Sequence, residues 1–184
     1  MKIRLAFALI LLAFLTRIGL NLLPHPPHNF SPIAAMGLFG AAVFNRRWLA
    51  LAVPFAALFL SDLFLNNVIY SAFYEGFAWY TSLWIYAAFA GVMLIGWVLL
   101  RGKATAERVI AASLTGSLLF FFVTNFSVWA QSGMYPKTGA GLMTCFVAGL
   151  PFLQNTVLGD LLFSGALFGA YAWLGSRSMA TQKA

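Results

Sequence analysis

The chain has 184 residues, of which 62% are hydrophobic and 8% are charged, and its mean hydropathy is +0.88. A soluble domain of this length cannot hide so much apolar surface, because a small globule exposes a large share of its residues. The formal net charge is +7, but the basic residues lie at the ends of apolar runs rather than along one patch. This pattern favours a membrane protein over a nucleic-acid-binding one.

The first apolar run, "MKIRLAFALILLAFLTR", follows Lys2 and Arg4 in the manner of a signal peptide. No small-x-small cleavage site comes after it. We therefore predict a first transmembrane helix that is retained.

The apolar runs predict an all-α fold, a single integral membrane domain over residues 1–184. A helix needs about 20 mostly apolar residues to cross roughly 30 Å of hydrocarbon. Six such spans are predicted, at about 5–23, 30–45, 49–66, 78–100, 108–130 and 154–174. The second span is short and has to stand upright or be shielded by its neighbours. The apolar run at 139–152 is too short to span, and we predict a re-entrant or interfacial helix there.

The basic residues predict the orientation of these spans. Nine of the eleven lysines and arginines fall on one side: Lys2, Arg4, Arg46, Arg47, Arg101, Lys103, Arg108, Arg177 and Lys183. The positive-inside rule then puts both termini in the cytoplasm and the chain in the inner membrane of the cell. The opposite loops, at 23–32, 66–80 and 131–155, are long, aromatic and proline-bearing, which is typical of loops that carry function.

Two aspartates, Asp62 and Asp160, fall inside predicted spans, where a charged side chain costs about 2.5–3.5 kcal/mol on insertion scales. Helical spacing pairs Asp62 with Asn66, Asn125 with Trp129, and Asp160 with Thr156 and Ser164. All lie toward the outer side, which predicts an outward-facing pocket under the three loops. The predicted binding wall is Asn29, Asp62, Asn66, Asn125, Trp129, Asn155 and Asp160. In a purely structural alternative, these polar side chains hydrogen-bond to one another and fix the packing of the helices, and Arg17 neutralises one aspartate.

The motif "PHPPH" contains His25 and His28, and the chain has one cysteine, Cys145. Successive prolines favour an extended backbone and no third ligand adjoins the two histidines, so we predict no metal site. We expect the histidines to belong to a stiff lid that touches a ligand, and Cys145 to be a buried, inert thiol.

The chain also resembles known membrane proteins. The runs "NFSPIAAMGLFGAAVF", "SDLF", "TNFSVWA" and "YPKTGAGLMTCFVAGLPFLQNTVLGDLLF" are similar to an uncharacterised family of small bacterial membrane proteins. Six short spans, both ends inside and a lidded outward pocket resemble the S component of energy-coupling-factor vitamin transporters. His28, Asp62 and Tyr80 lie at places comparable to a histidine, an aspartate and a tyrosine of the cobalamin-transporting members.

The chain departs from those transporters in two respects. No cysteine lies in the 66–80 loop, where theirs can ligate cobalt, and Ala6, Ala8 and Ala13 lack the four-residue spacing of the usual partner-binding patch. The resemblance implies a substrate-binding subunit, not an enzyme, with no cofactor, for uptake of a vitamin-like micronutrient, with a cobalamin-related compound as one candidate. No Walker A motif is present, so ATP coupling would need a transmembrane partner and ATPases.

Two other functions remain open. Gly165 and Gly169 form a GxxxG motif that suits an accessory or assembly subunit without a ligand. Asp62 and Asp160 suggest the carboxylate pair of an intramembrane aspartyl hydrolase, although "LGD" falls short of the GxGD pattern of such proteases. A binding site requires a cavity between the polar groups, whereas an accessory subunit predicts a solid interior.

Overall fold

The structure, a computed structural model, describes residues 2–181 and, within them, the side chains of residues 4–174. Lys183, used above to predict orientation, lies outside the described residues, and the side chains of Lys2 and Arg177 lie outside the described side chains. Over the described range the chain is helical and forms no strand. The helices are α1 Lys2–Asn21, α2 Ile33–Val43, α3 Arg47–Phe64, α4 Leu83–Leu99, α5 Ala106–Gln131 and α6 Gly139–Thr181, with a π-helical turn Leu65–Ile69 and a 3₁₀ turn Ser71–Phe73 after α3.

Four of these helices are long and apolar enough to cross a membrane, namely α1, α3 with its π-helical extension, α5 and α6. The other two are shorter, with 11 residues in α2 and 17 in α4. Large apolar side chains point outward along the bundle; Val98, for example, is 80% exposed and Phe7 is 69% exposed. Long apolar helices with an apolar exterior are typical of a membrane protein, because lipid rather than water then covers the outside.

Helix α2 lies at the centre of the bundle. Every residue from Ile33 to Ala41 is buried, as expected for a helix that is hydrophobic on all sides. The prediction that the short second apolar run is shielded by its neighbours is therefore confirmed. At 11 residues, α2 is about 16 Å long, only about half the thickness of a bilayer core.

The two ends of the bundle differ. At one end, which we call the arginine end, the short turns 44–46 and 100–105 carry Arg46, Arg101 and Lys103. At the other, which we call the loop end, lie the longer connections 22–32, 70–82 and 132–138.

Close helix contacts at the arginine end depend on small residues. A Cβ atom added to Gly96 of α4 would lie 2.9 Å from the Cβ atom of Ala41 in α2, and one added to Gly40 would lie 3.3 Å from the backbone of Ala50 in α3. The small residues Gly40, Ala41 and Gly96 therefore allow α2 to pack closely against α3 and α4. Gly165 and Gly169 differ, since an added Cβ would meet nothing within 4 Å at either.

The prediction of a separate short helix at 139–152 is wrong, because this run forms the first part of the 43-residue helix α6, with Pro151 inside it. Thr138 caps the start of this helix, since its Oγ1 accepts a hydrogen bond from Gly141 N at 3.1 Å. Proline removes one backbone hydrogen bond but does not necessarily end a helix whose flanking turns are held elsewhere. Here the turns before Pro151 are held against α5, since the Cys145 thiol donates to the Asn125 carbonyl oxygen.

Candidate functional site

A cavity of about 400 Å³ opens at the loop end, and all six helices contribute to its wall. We call it the central cavity. Its polar and charged lining residues are Arg17, Asn21, His28, Asn29, Ser31, Asp62, Asn66, Tyr70, Tyr74, Thr81, Thr156 and Asp160. The polar groups predicted from separate helices thus meet around a void rather than packing solidly together.

An ion pair joins α1 to α3 on this wall. Arg17 Nη2 lies 2.9 Å from Asp62 Oδ1, and the two side chains are 17% and 2% exposed. Arg17 Nη1 donates to the Leu58 carbonyl oxygen at 3.2 Å and to the Ser61 hydroxyl. Removing one partner of a buried pair of this kind typically costs about 3–5 kcal/mol, because the other charge is left buried and uncompensated.

The second carboxylate oxygen of Asp62 has a different environment. Among the described side chains, the only buried polar atoms without a hydrogen-bond partner are Asp62 Oδ2 and the Tyr86 hydroxyl. Leaving a buried polar atom unsatisfied costs roughly 1–3 kcal/mol, and more for a charged group. Asp62 lines the central cavity and Tyr86 lines neither cavity described here.

Asp160 lies on α6, where it is 3% exposed. Its Oδ2 accepts a hydrogen bond of 2.6 Å from the Ser117 hydroxyl of α5. One turn farther toward the arginine end, the Ser113 hydroxyl donates to Ser164 Oγ at 3.0 Å. The predicted stripe of Thr156, Asp160 and Ser164 is therefore buried along the contact between α5 and α6.

The second connection at the loop end, residues 70–82, is attached to the cavity wall through the π-helical turn Leu65–Ile69. The wider turn is closed by a bond from Tyr70 N to the Leu65 carbonyl oxygen at 2.7 Å, a geometry often found at functional sites. Asn66, in this turn, donates to Thr81 Oγ1 at 3.3 Å and accepts from the Tyr74 hydroxyl at 3.3 Å. The Tyr70 hydroxyl donates to Asn21 Oδ1 of α1. These bonds hold the loop over the cavity.

The first connection at the loop end, residues 22–32, contributes His28 and Asn29 to the wall of the central cavity. Asn29 has φ 65°, a left-handed backbone conformation that asparagine adopts more readily than most residues. Asn155 Nδ2 donates to the His28 carbonyl oxygen at 3.1 Å, and the His28 ring lies against the edge of Phe152. Asn155 therefore holds the loop in place, and the structure does not put it on the cavity wall.

A second cavity of about 460 Å³, the side cavity, lies between α5 and the first part of α6. His28, Asn29, Ile85 and Phe120 line both cavities, so the two are neighbours. Asn125 lines the side cavity, and its Nδ2 donates to the Phe121 carbonyl oxygen at 2.8 Å. Cys145 lines it as well but is 2% exposed, as the prediction of a buried thiol requires.

The sequence of the whole chain identifies its family. Residues 1–182 match the profile of a family of unknown function, DUF6580. The chain belongs to that family. No curated protein and no solved structure matches the chain.

The nine predicted site residues divide into three groups. His28, Asn29, Asp62, Asn66 and Asp160 line the central cavity, and Asn125 lines the side cavity. Tyr80, Trp129 and Asn155 line neither. Tyr80 is 47% exposed, and the Trp129 indole donates to the Pro136 carbonyl oxygen at 2.9 Å while its own carbonyl oxygen accepts from Lys137. Trp129 thus closes the turn between α5 and α6.

The prediction from sequence missed Arg17 as a cavity residue, together with Asn21, Tyr70, Tyr74 and Thr81. One signal was available, because Arg17 and Asn21 are four residues apart in the first apolar run and so share a helix face. His25 lines neither cavity, and no group of three potential metal ligands occurs among the described residues.

Proposed function

We propose that this protein is a membrane-embedded subunit that binds a small, vitamin-like solute in the central cavity during its uptake. One observation carries the proposal: both aspartates of a chain that has four acidic residues line a hollow of about 400 Å³. Burying a polar atom without a hydrogen-bond partner costs stability, and Asp62 Oδ2 is such an atom. A solute that hydrogen-bonds to the charged and polar side chains of the wall in the bound state supplies a reason for the arrangement.

The size and access of the cavity support a small-molecule site. Ligand pockets commonly measure about 300–1,000 Å³ and combine an apolar surround with a few polar groups. The central cavity, at about 400 Å³, is near the lower end of that range. This volume favours a compact solute, such as a single-ring vitamin, over the much larger corrinoid of cobalamin.

The surroundings of the two aspartates argue against the other two functions. Asp62 pairs with Arg17, whereas Asp160 accepts a hydrogen bond from Ser117, so each carboxyl has its own partner. A hydrolase would instead use two carboxyls that share a proton. An assembly subunit without a ligand predicts a solid loop end, and the cavity favours a binding subunit over that alternative.

The proposed topology has six membrane crossings, with the loop end facing outward and both termini in the cytoplasm. Arg46, Arg47, Arg101, Lys103 and Arg108 would then meet the cytoplasmic surface, in accord with the positive-inside rule. Helix α2 would cross the membrane at the centre of the bundle, and α4 would cross it beside α2. Neighbouring helices cover much of the surface of both. As in the S-component transporters that the predicted topology resembles, energy would come from a separate transmembrane partner and ATPases.

The experiment that tests this function asks whether the purified protein carries a solute. The protein is isolated in mild detergent, its small molecules are identified by mass spectrometry, and their amount per protein is compared with that in two leucine variants. Ala34 lines the central cavity, whereas Ala87 is an exposed alanine on α4 that lines neither cavity. Ala34→Leu fills the void and should abolish retention, and Ala87→Leu should leave it unchanged.

Two results would count against a solute-binding subunit. One is a solute that stays bound at the same level in Ala34→Leu. The other is a protein that binds no compound from a cell extract in either the native or the control form. Thermal unfolding of both variants checks that the comparison concerns folded protein.

A further inference from the structure

Acidic groups are concentrated at the central cavity. The chain contains Asp62, Glu75, Glu107 and Asp160 as its only acidic residues, and the two aspartates line this cavity while the two glutamates line neither cavity. Among the lysine and arginine side chains that the structure describes, only Arg17 lines it. The side chains of its wall therefore include two carboxyl groups and one guanidinium group.

Three of the five N–H donors of that guanidinium group are already used within the protein. Both terminal nitrogens of Arg17 donate to protein atoms, namely the Leu58 carbonyl oxygen, the Ser61 hydroxyl and Asp62 Oδ1. An anionic solute would therefore have to compete with an existing ion pair for its main cationic partner. The start of α2 adds only a partial positive charge near the wall.

The acceptors are less fully occupied. Asp62 Oδ2 is buried and receives no hydrogen bond, and Asp160 forms no ion pair with any described cation, since its partner is the neutral Ser117. An ionised carboxylate can only accept hydrogen bonds, so both aspartates are suited to a donor. Charged N–H donors form the shortest and strongest bonds to carboxylates.

We infer that the solute carries a cationic nitrogen, an ammonium or amidinium group, which lies beside Asp62 and Asp160 in the central cavity and interacts with their carboxyl groups. This inference rests on the proposed function and adds the chemical class of the solute. Phe120 lines both cavities, and Val128, Met134 and Phe152 also line the side cavity. The side cavity therefore receives the apolar part of the same molecule. The expected solute is a compact amine with an aromatic or aliphatic portion.

The test uses three probes of similar size that differ in charge: benzylammonium, benzyl alcohol and benzoate. Sodium and potassium chloride serve as further arms, because an inorganic cation could also meet the two carboxylates. Binding to the purified protein is measured by calorimetry and by the shift in thermal unfolding. We expect benzylammonium to bind and raise the unfolding temperature, while benzyl alcohol, benzoate and the two salts have much smaller effects.

Charge-neutral variants connect this binding to the aspartates. Asp160→Asn keeps the shape of the side chain and should weaken benzylammonium binding roughly tenfold or more, as expected for loss of a hydrogen bond to a charged group. Glu75→Gln removes an exposed acidic group that lines neither cavity, and should leave the affinity unchanged. Asp62→Asn should act like Asp160→Asn, but it also breaks the pair with Arg17, so Asp160→Asn decides the outcome if that variant does not fold.

Several outcomes would overturn the inference. They are equal or tighter binding of benzoate or benzyl alcohol, an effect of sodium or potassium ions alone, or unchanged benzylammonium affinity in Asp160→Asn. Failure of this inference is distinct from failure of the proposed function. A co-purified solute that Ala34→Leu releases, but that contains no cationic nitrogen, would contradict the inference and leave the binding function intact.

Discussion

The arginine end and the loop end of the bundle are packed differently. At the arginine end, small residues bring helices into direct contact, as Gly96 does against Ala41, and large apolar side chains such as Leu38, Leu100 and Met93 are almost fully buried. At the loop end, charged and amide side chains surround a cavity of about 400 Å³. Helix association in membranes can rely on close packing without polar contacts. The comparison therefore shows one closely packed end and one hollow, polar end, and the proposed solute supplies a reason for the polar residues of the second.

The largest effect should come from Arg17→Met, which removes the only described ion-pair partner of Asp62. The variant leaves a buried carboxylate uncompensated, and we expect a loss of about 3–5 kcal/mol in the free energy of unfolding. Denaturant titration in detergent measures this loss. Arg47→Met, an exposed change at the arginine end, should alter stability by less than about 0.5 kcal/mol.

The double variant Arg17→Met with Asp62→Leu sharpens the same comparison. Replacing a whole buried ion pair by apolar groups is often neutral or stabilising, so most of the lost stability should return while solute binding stays absent. A double variant as unstable as Arg17→Met alone would show that the pair is needed for the fold itself.

A smaller effect is expected at the arginine end. Gly96→Leu forces atoms into the contact with Ala41 and Leu38, and overpacking of this kind costs about 1–3 kcal/mol. Gly165→Leu on α6 meets open space and should cost nothing measurable. If the two ends act separately, Gly96→Leu lowers the unfolding temperature but leaves solute affinity as it was; a parallel loss of affinity would contradict that separation.

Two serines on one face of α5 permit a finer test. Ser117→Ala and Ser113→Ala each remove one buried side-chain hydrogen bond, to Asp160 and Ser164 respectively, and each should cost about 1 kcal/mol. Only Ser117 bonds to a residue that lines the central cavity. Calorimetry should therefore show weaker solute binding in Ser117→Ala alone.

The smallest effect should come from Tyr70→Phe, which removes the bond from the second loop to Asn21. A part-buried hydrogen bond of this kind contributes about 0.5 kcal/mol, so global stability should barely change. Backbone amides of residues 70–82 should exchange hydrogen faster. Tyr80→Phe, which alters a residue that lines neither cavity, should leave exchange as in the native chain.

The sequence predicted those parts of the fold and site that follow from apolar runs, from helical spacing and from the free-energy cost of a charged side chain in lipid. Apolar runs indicated the helices and the shielding of α2, and the expense of an aspartate in lipid identified Asp62 and Asp160 as residues of the cavity wall. Spacing of four residues correctly linked Asp62 to Asn66, even though Asn66 lies in a π-helical turn.

Other features depend on tertiary contacts that a local pattern does not contain. The length of the apolar run at 139–152 suggested a separate short helix, but packing of its turns against α5 keeps α6 continuous through Pro151. Trp129 and Asn155 were correctly placed near the loop end, yet their donors are directed to backbone carbonyl oxygens of the adjoining loops. The alternative in which Arg17 neutralises one aspartate is observed, but the local pattern did not say that its long side chain would reach Asp62 rather than Asp160.

The brevity of α2 has a consequence for the depth of the central cavity. Ser31, just before this helix, and Ala34, in its first turn, both line the cavity, so the cavity occupies the depth that additional turns of the helix would otherwise fill. Lengthening or shortening α2 before Ile33 would therefore change the depth of the central cavity while leaving the packing at the arginine end in place. The length of this one helix thus sets how tall a solute the proposed site would hold.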